Sequence, residues 1–198
     1  TNRHKSSWLK QQPTAFQRQL TETPSSQFNG LALTLDSQDY PSTLAALPYA
    51  PPVLFMRGNR ALLGCSAVAI VGTRQCSQNG RRFARALSTS IAQHKCIVSG
   101  MAYGIDEEAH KAALNKTIAV CGQGLDAEFS GYRARLASLI LKGNGLLVSE
   151  FPAQTTAKKW TYVQRNRVIA GLCETLVVVE APLRSGALIS AQFAVDYG

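Results

Sequence analysis

The chain has 198 residues, 45% of them hydrophobic and 17% charged; this composition excludes a wholly disordered chain and matches one globular domain, on a usual size of roughly 100 to 200 residues per domain. Lys and Arg total 21 against 12 Asp and Glu, a formal net charge of +9 that favours polyanionic partners such as nucleic acid or anionic lipid. No apolar run approaches the roughly 18 residues of a membrane span, and the basic N-terminal residues are not followed by the apolar stretch of a secretory signal, so a cytoplasmic address without a membrane partner is expected.

In chain order, residues 1–30 are rich in Gln, Ser and Thr and read as a polar extension with at most a short helix over Ala15–Leu20. Residues 31–66 read as a small lead-in, with Leu31, Leu33 and Leu35 alternating as in a strand and four prolines punctuating the stretch up to Arg57; one or two short strands are expected. From Ala67 onward, apolar β-branched runs at Ala67–Gly72, Cys96–Ser99, Thr117–Cys121, Leu146–Ser149 and Thr175–Glu180 alternate with helix-patterned segments. In the first helical segment Phe83, Leu87 and Ile91 are expected to face the sheet, leaving Arg81, Arg82 and Arg85 at its opening turns. Further helices are expected from about Ile105 to Leu114, from about Tyr132 to Lys142, one that includes Asn166 to Leu172, and from Ser185 to Tyr197. This alternation predicts an α/β, doubly wound, mostly parallel Rossmann-like domain over residues 67–198.

In such a sheet, ligands bind beyond the carboxyl ends of the strands. The residues there are Gly72-Thr73-Arg74, Ser99-Gly100-Met101-Ala102-Tyr103-Gly104-Ile105-Asp106, Gly122-Gln123-Gly124-Leu125-Asp126 and Arg184-Ser185-Gly186. Small residues at these turns let backbone N–H groups and helix N-termini approach an anion. Glycine after a strand also simply allows a tight turn, and neither G-x-G-x-x-G nor G-x-x-x-x-G-K-[ST] is present, which disfavours a dinucleotide dehydrogenase or a P-loop ATPase. Asp106 and Asp126 fit helix-terminal structural roles better than catalytic ones. Ala102 occupies the serine position of what would be a nucleophile elbow, so no hydrolase triad can be assembled. His110 is expected to hydrogen-bond on its own helix face. Five cysteines, Cys65, Cys76, Cys96, Cys121 and Cys173, are odd in number and lack a C-x-x-C pair, so no metal or disulfide framework is expected.

The positive charge is concentrated in acid-free stretches. Tyr40 to Ile105 contains Arg57, Arg60, Arg74, Arg81, Arg82, Arg85 and Lys95 without one Asp or Glu; Phe129 to Ser149 contains Arg133, Arg135 and Lys142; Phe151 to Cys173 contains Lys158, Lys159, Arg165 and Arg167. A strand order reversing between the first and fourth core strands would bring Arg74 beside the Lys158–Arg167 segment. Trp160 and Tyr162 interleave with these cations, the pattern of a groove that holds phosphates and stacks bases of a single strand. Arg165 is expected at a helix start, where an anion would relieve its opposition to the macrodipole. Lys158 and Lys159 either contact the ligand or keep a loop solvated, and Arg167 either joins the site or pairs with Glu150 or Glu180. A nucleotide-binding or nucleotide-hydrolysing Rossmann-like enzyme or sensor, with Asp106, Asp126 or Glu150 supplying acid chemistry, is the alternative; a scaffold for an acidic protein is a third reading.

In order and spacing, the lead-in LDSQDYPSTLAALPYAPPVLFMRGN and the blocks AIVGTR, VSGMAYGID, TIAVCGQGLD, LLVSEFP, RNRVIAGL, LVVVEA and SGALISAQFAVDYG resemble the DNA processing protein A (DprA/Smf) family over residues 31–198. The resemblance implies an extended Rossmann fold, single-stranded DNA as partner, protection of incoming DNA and its loading with RecA recombinase in natural transformation, with no cofactor and no catalytic activity. A homodimer is compatible with it. It further implies that Gly72, Thr73, Arg74, Arg165, Asn166, Arg167, Ser185 and Gly186 line the strand-binding pocket, with Arg133 and Arg135 at further basic positions. Two blocks depart from the family: Phe129-Ser130-Gly131-Tyr132 stands where Tyr-Pro and Asn are common, and Thr161-Tyr162-Val163-Gln164 stands where Phe-Pro usually precedes RNR. The chain also stops at Gly198, ahead of the sixth strand and closing helices expected of the family, so it is expected to be a truncated domain.

Overall fold

The structure, a computed structural model, describes residues 28–198; the helix expected over Ala15–Leu20 lies outside the described residues. The lead-in supplies two strands, β1 (Leu31–Thr34) and β2 (Val53–Gly58), with the short helix α1 (Ser42–Ala45) between them. The core alternates β3 (Ala67–Val71), α2 (Gln78–Ile91), β4 (Cys96–Ser99), α3 (Ile105–Ala112), β5 (Thr117–Val120), α4 (Gly131–Lys142), β6 (Leu146–Ser149), α5 (Lys159–Gly171), β7 (Thr175–Val178) and α6 (Gly186–Asp196). The expected core strands are therefore all present, each within two residues of its expected end.

The seven strands among the described residues form one sheet in the order β1-β2-β6-β5-β4-β3-β7. β3 to β7 are parallel, while β2 pairs antiparallel with both β1 and β6. The reversal expected between the first and fourth core strands lies instead between the first and the fifth. Four core strands wind outward in one direction, β2 occupies the free edge of β6, and the next parallel site is on the far side of β3. The helix joining β6 to β7 must consequently cross the sheet, and this crossing places α5 over the carboxyl ends of the central strands.

Side-chain alternation along the strands divides the core. Ala67, Ala69, Val71 and Val98 point to the face covered by Leu44 of α1 and by Val168 and Ile169 of α5. Val68, Ile70 and Ile97 point to the opposite face, where Ala84, Ile105 and Ala109 of α2 and α3 pack; Leu136 and Ile140 of α4 cover Ala119 and Leu147. Phe83 does not face the sheet as expected but is 56% exposed. The α2 stripe that packs is Gly80, Ala84 and Ser88, with Leu87 and Ile91 half-buried beside it, because α2 lies close against α3 and small residues allow that approach. Ser77 caps α2 by accepting from the Gly80 N–H at 3.0 Å, and the Glu180 carboxylate accepts from the Ser77 N–H and hydroxyl. Glu180 thus serves the α2 terminus and not Arg167.

His110 bonds off its own helix, with Nδ1 2.7 Å from the Thr117 hydroxyl of β5. Burial, reinforced by the positive charge of Arg165, pushes its imidazole down to about 3. Because the folded value lies below the unfolded one, this histidine contributes stability that is complete above about pH 6.5 and is lost as pH falls toward about 3, by roughly 1 kcal/mol per pH unit. We expect His110→Gln to flatten the acid limb of a stability-versus-pH curve measured by urea denaturation; an unchanged limb would place acid sensitivity elsewhere.

Candidate nucleic-acid interface

A crevice of about 400 Å³ opens at the carboxyl edge of the sheet. Gly72, Thr73 and Arg74 leaving β3 form one wall, Tyr162, Arg165 and Asn166 of α5 form another, and Ser185 and Gly186 at the start of α6 close it. These residues are remote in sequence and meet only because α5 crosses back over the sheet.

Asp106, on the first turn of α3, holds this edge together. Its carboxylate accepts from the backbone N–H groups of Gly72 (3.3 Å), Gly100 (3.1 Å) and Ala102 (3.3 Å), tying the β3 and β4 loops to one anchor. Burial raises its pKa above the usual carboxylate range, against the pull of Arg165 and the three amides. The adjoining Gly104 has φ +91, and a side chain there would collide with the backbone oxygens of Thr73 and Arg74, so the loop needs glycine at this point. Asp106 is accordingly structural.

Arg165 is not at a helix start. Helix α5 begins at Lys159, where the Thr161 hydroxyl accepts from the Lys158 N–H at 3.0 Å and closes the first turn. The start escaped periodicity because Lys159–Gln164 carries no apolar stripe. Arg165 is buried; its Nη1 donates to the carbonyl oxygens of Gly100 and, at 2.7 Å, Val120, at the ends of β4 and β5, while its Nε has no partner among the described residues. Burial lowers its pKa, opposed by the negative charge of Asp106.

Tyr162 is the hub of the crevice. The guanidinium carbons of Arg74, Arg133 and Arg165 lie 6.0, 5.8 and 6.0 Å from its ring centroid, and Arg133 also donates to its hydroxyl. None of these arginines forms an ion pair with a described carboxylate. At the opposite wall, Asn166 Nδ2 donates to the Gly186 carbonyl at 3.1 Å. Ser185, the N-cap of the 11-residue helix α6, makes no side-chain cap bond, and its buried hydroxyl has no partner among the described residues. The α6 terminus therefore presents uncapped donors to the crevice.

The remaining candidates fall outside this cluster. Arg167 points away, into a buried ion pair with Glu150 and a bond to the Tyr49 carbonyl. Lys158 and Lys159 are exposed at the start of α5, and Arg135 is exposed on α4; none lines the crevice. Several cations from acid-free stretches are paired with remote carboxylates: Arg57 with Asp126, Arg60 with Asp39, Arg81 and Arg85 jointly with Glu108, and Lys95 with Glu174. Tyr162 was legible as an aromatic among cations, but its meeting with Arg74 and Arg133 required the fold. Among the described residues, no group of three or more His, Cys, Asp or Glu is arranged to hold a metal, and no helix is long and apolar enough to cross a membrane.

A family model described as DNA recombination-mediator protein A matches residues 31–198. Protein Smf of Escherichia coli is 41% identical over 167 residues, 82% of this chain and 45% of that protein. DNA processing protein DprA of Streptococcus pneumoniae is 42% identical over 163 residues, 80% of this chain and 57% of its own length. The chain thus spans about half the length of the curated relatives it matches. The X-ray structure of the S. pneumoniae protein superposes with a TM-score of 0.80 at 38% identity, covering 86% of this chain and 61% of that one. A structure concerning the single-stranded DNA binding mode of DNA processing protein A from Helicobacter pylori superposes with a TM-score of 0.77 at 29% identity, covering 85% of this chain and 78% of that one.

Proposed function

The chain belongs to the DNA recombination-mediator protein A family, and on that premise we propose that it is a single-stranded DNA-binding recombination mediator whose strand-end crevice holds the DNA backbone. The observation that carries this reading is the convergence of Arg74, Arg133 and Arg165 on the Tyr162 ring, beside the uncapped terminus of α6. Guanidinium groups and helix-terminal amides attract phosphate, and a partly exposed ring offers a face to a base. A duplex hides its base faces, so a single strand is the better ligand.

The mediator works in the cytoplasm, protecting incoming strands and passing them to RecA recombinase in natural transformation. It carries out no chemical step. The acids of the alternative enzyme reading have other partners: Asp106 holds backbone amides, Glu150 takes Arg167 and Gln164, and Asp126 takes Arg57.

Fluorescence anisotropy of labelled oligonucleotides tests binding. Single strands should bind more tightly than duplex, with log K falling linearly in log salt; equal affinity for both forms would overturn the reading. Arg74 is exposed at the crevice wall, where on this reading it meets phosphate, so Arg74→Ala should weaken binding by about 3- to 10-fold equally for all sequences and reduce the salt slope by about 0.7. The handover is tested by RecA filament nucleation on strands precoated with a single-strand-binding protein. Acceleration is expected, and its absence would remove the mediator role while leaving DNA binding intact.

A further inference from the structure

We propose that the single-strand path does not end at the crevice but continues over a second base platform formed by Tyr103 and Arg81, reached through Tyr132. This rests on the single-strand reading above and extends it to an additional subsite. Tyr103 sits in the loop between β4 and α3, where Met101 at φ +58 and Gly104 at φ +91 turn the backbone outward, and its side chain is left 46% exposed. An exposed aromatic ring at the tip of a loop gains nothing from core packing, yet this one is held from two sides. The Arg81 guanidinium lies 5.2 Å from its ring centroid, and the Tyr132 ring meets it edge to face at 5.6 Å. Tyr132 is fixed in turn by its hydroxyl, which donates to the Met101 carbonyl at 3.3 Å.

The platform is continuous with the crevice. Tyr132 is the chain neighbour of Arg133, which bonds to Tyr162, and it lies within electrostatic reach of Arg74 and Arg133. The series Tyr162, Arg133, Tyr132, Tyr103, Arg81 thus interleaves three rings with two cations along one rim, as a groove for consecutive nucleotides does. Charge at the far end remains positive. Glu108 is the carboxylate paired with Arg81, at 3.4 Å, and it is shared with Arg85 at 2.6 Å, so two guanidiniums face one acid. The occupant that fits is the stretch of single-stranded DNA flanking the nucleotides in the crevice, with a base against Tyr103 and its phosphate against Arg81.

The test compares oligothymidylates of about 6 and about 20 nucleotides at low salt, on the scale of known single-strand site sizes. Tyr103→Ala should weaken the longer strand by about 10-fold while leaving the shorter one within about twofold, and Tyr103→Trp should retain binding of both, since either ring stacks. Arg81→Ala should show the same length dependence. Equal affinity of Tyr103→Ala and the parent for the longer strand would overturn the second platform. So would equal loss at both lengths, which would mean that Tyr103 acts only through the crevice loop. If the parent binds neither strand, the single-strand reading itself fails, which is a distinct outcome.

Discussion

Arg165→Met is expected to lower single-strand affinity by about 10- to 100-fold, the scale of one lost hydrogen bond between a charged donor and phosphate, about 1.5–3 kcal/mol. The residue is buried along the crevice floor, with one nitrogen committed to the strand-end carbonyls of Gly100 and Val120 and with Nε unpartnered among the described residues. A lysine should not restore binding, because a point charge cannot bridge two carbonyls and still face an anion. Gly100→Ala gives an independent route to the same loss, since its methyl group would overlap the Arg165 guanidinium and shift it without removing the charge. Anisotropy reports the affinity, and circular dichroism reports whether the fold survives. Retained affinity in a folded Arg165→Met protein would remove Arg165 from the site.

The second large effect lies behind the crevice. Glu150→Leu should destabilise the protein by about 3–5 kcal/mol, because it strands the Arg167 guanidinium in the interior. The side chains of the pair are only 5% and 1% exposed, so water cannot replace the lost carboxylate. For a domain of this size the melting temperature should fall by about 6–20 °C. Adding Arg167→Met to Glu150→Leu should recover most of the loss, since an apolar pair of similar volume carries no desolvation penalty. A single Glu150→Leu variant that melts like the parent would show that the pair does not hold α5 in place. Because Arg167 also bonds to Tyr49, this ion pair fastens the lead-in to the crossing helix, and its loss is expected to blur the crevice as well.

The contrast between Arg165 and Arg167 shows where residue order stops being informative. The two stand either side of Asn166 and look equivalent in sequence. On a helix, however, positions two apart do not share a face. Arg165 therefore turns to the ends of β4 and β5, while Arg167 turns to Glu150 and Tyr49. Similarly, Phe83 repeats at four-residue spacing with Leu87 and Ile91, yet close contact between α2 and α3 selects Gly80, Ala84 and Ser88 for the interior.

The information legible in residue order is local. The period-two and period-3.6 patterns set five parallel strands and their intervening helices, the punctuation after each strand marked the ligand-binding edge, and the ordered blocks identified the family. Folding in three dimensions selects which cations remain free. Acid-free stretches in sequence proved not to be acid-free in space, because carboxylates as distant as Asp126 and Glu174 fold back onto Arg57 and Lys95. The strand order, with β2 on the outer edge of β6 and β7 beside β3, sends α5 across the sheet and gathers Arg74, Arg133 and Arg165 around Tyr162. Neighbours along the chain fix secondary structure through short-range sterics and periodicity, whereas a charge's partner depends on long-range pairing that no local pattern encodes.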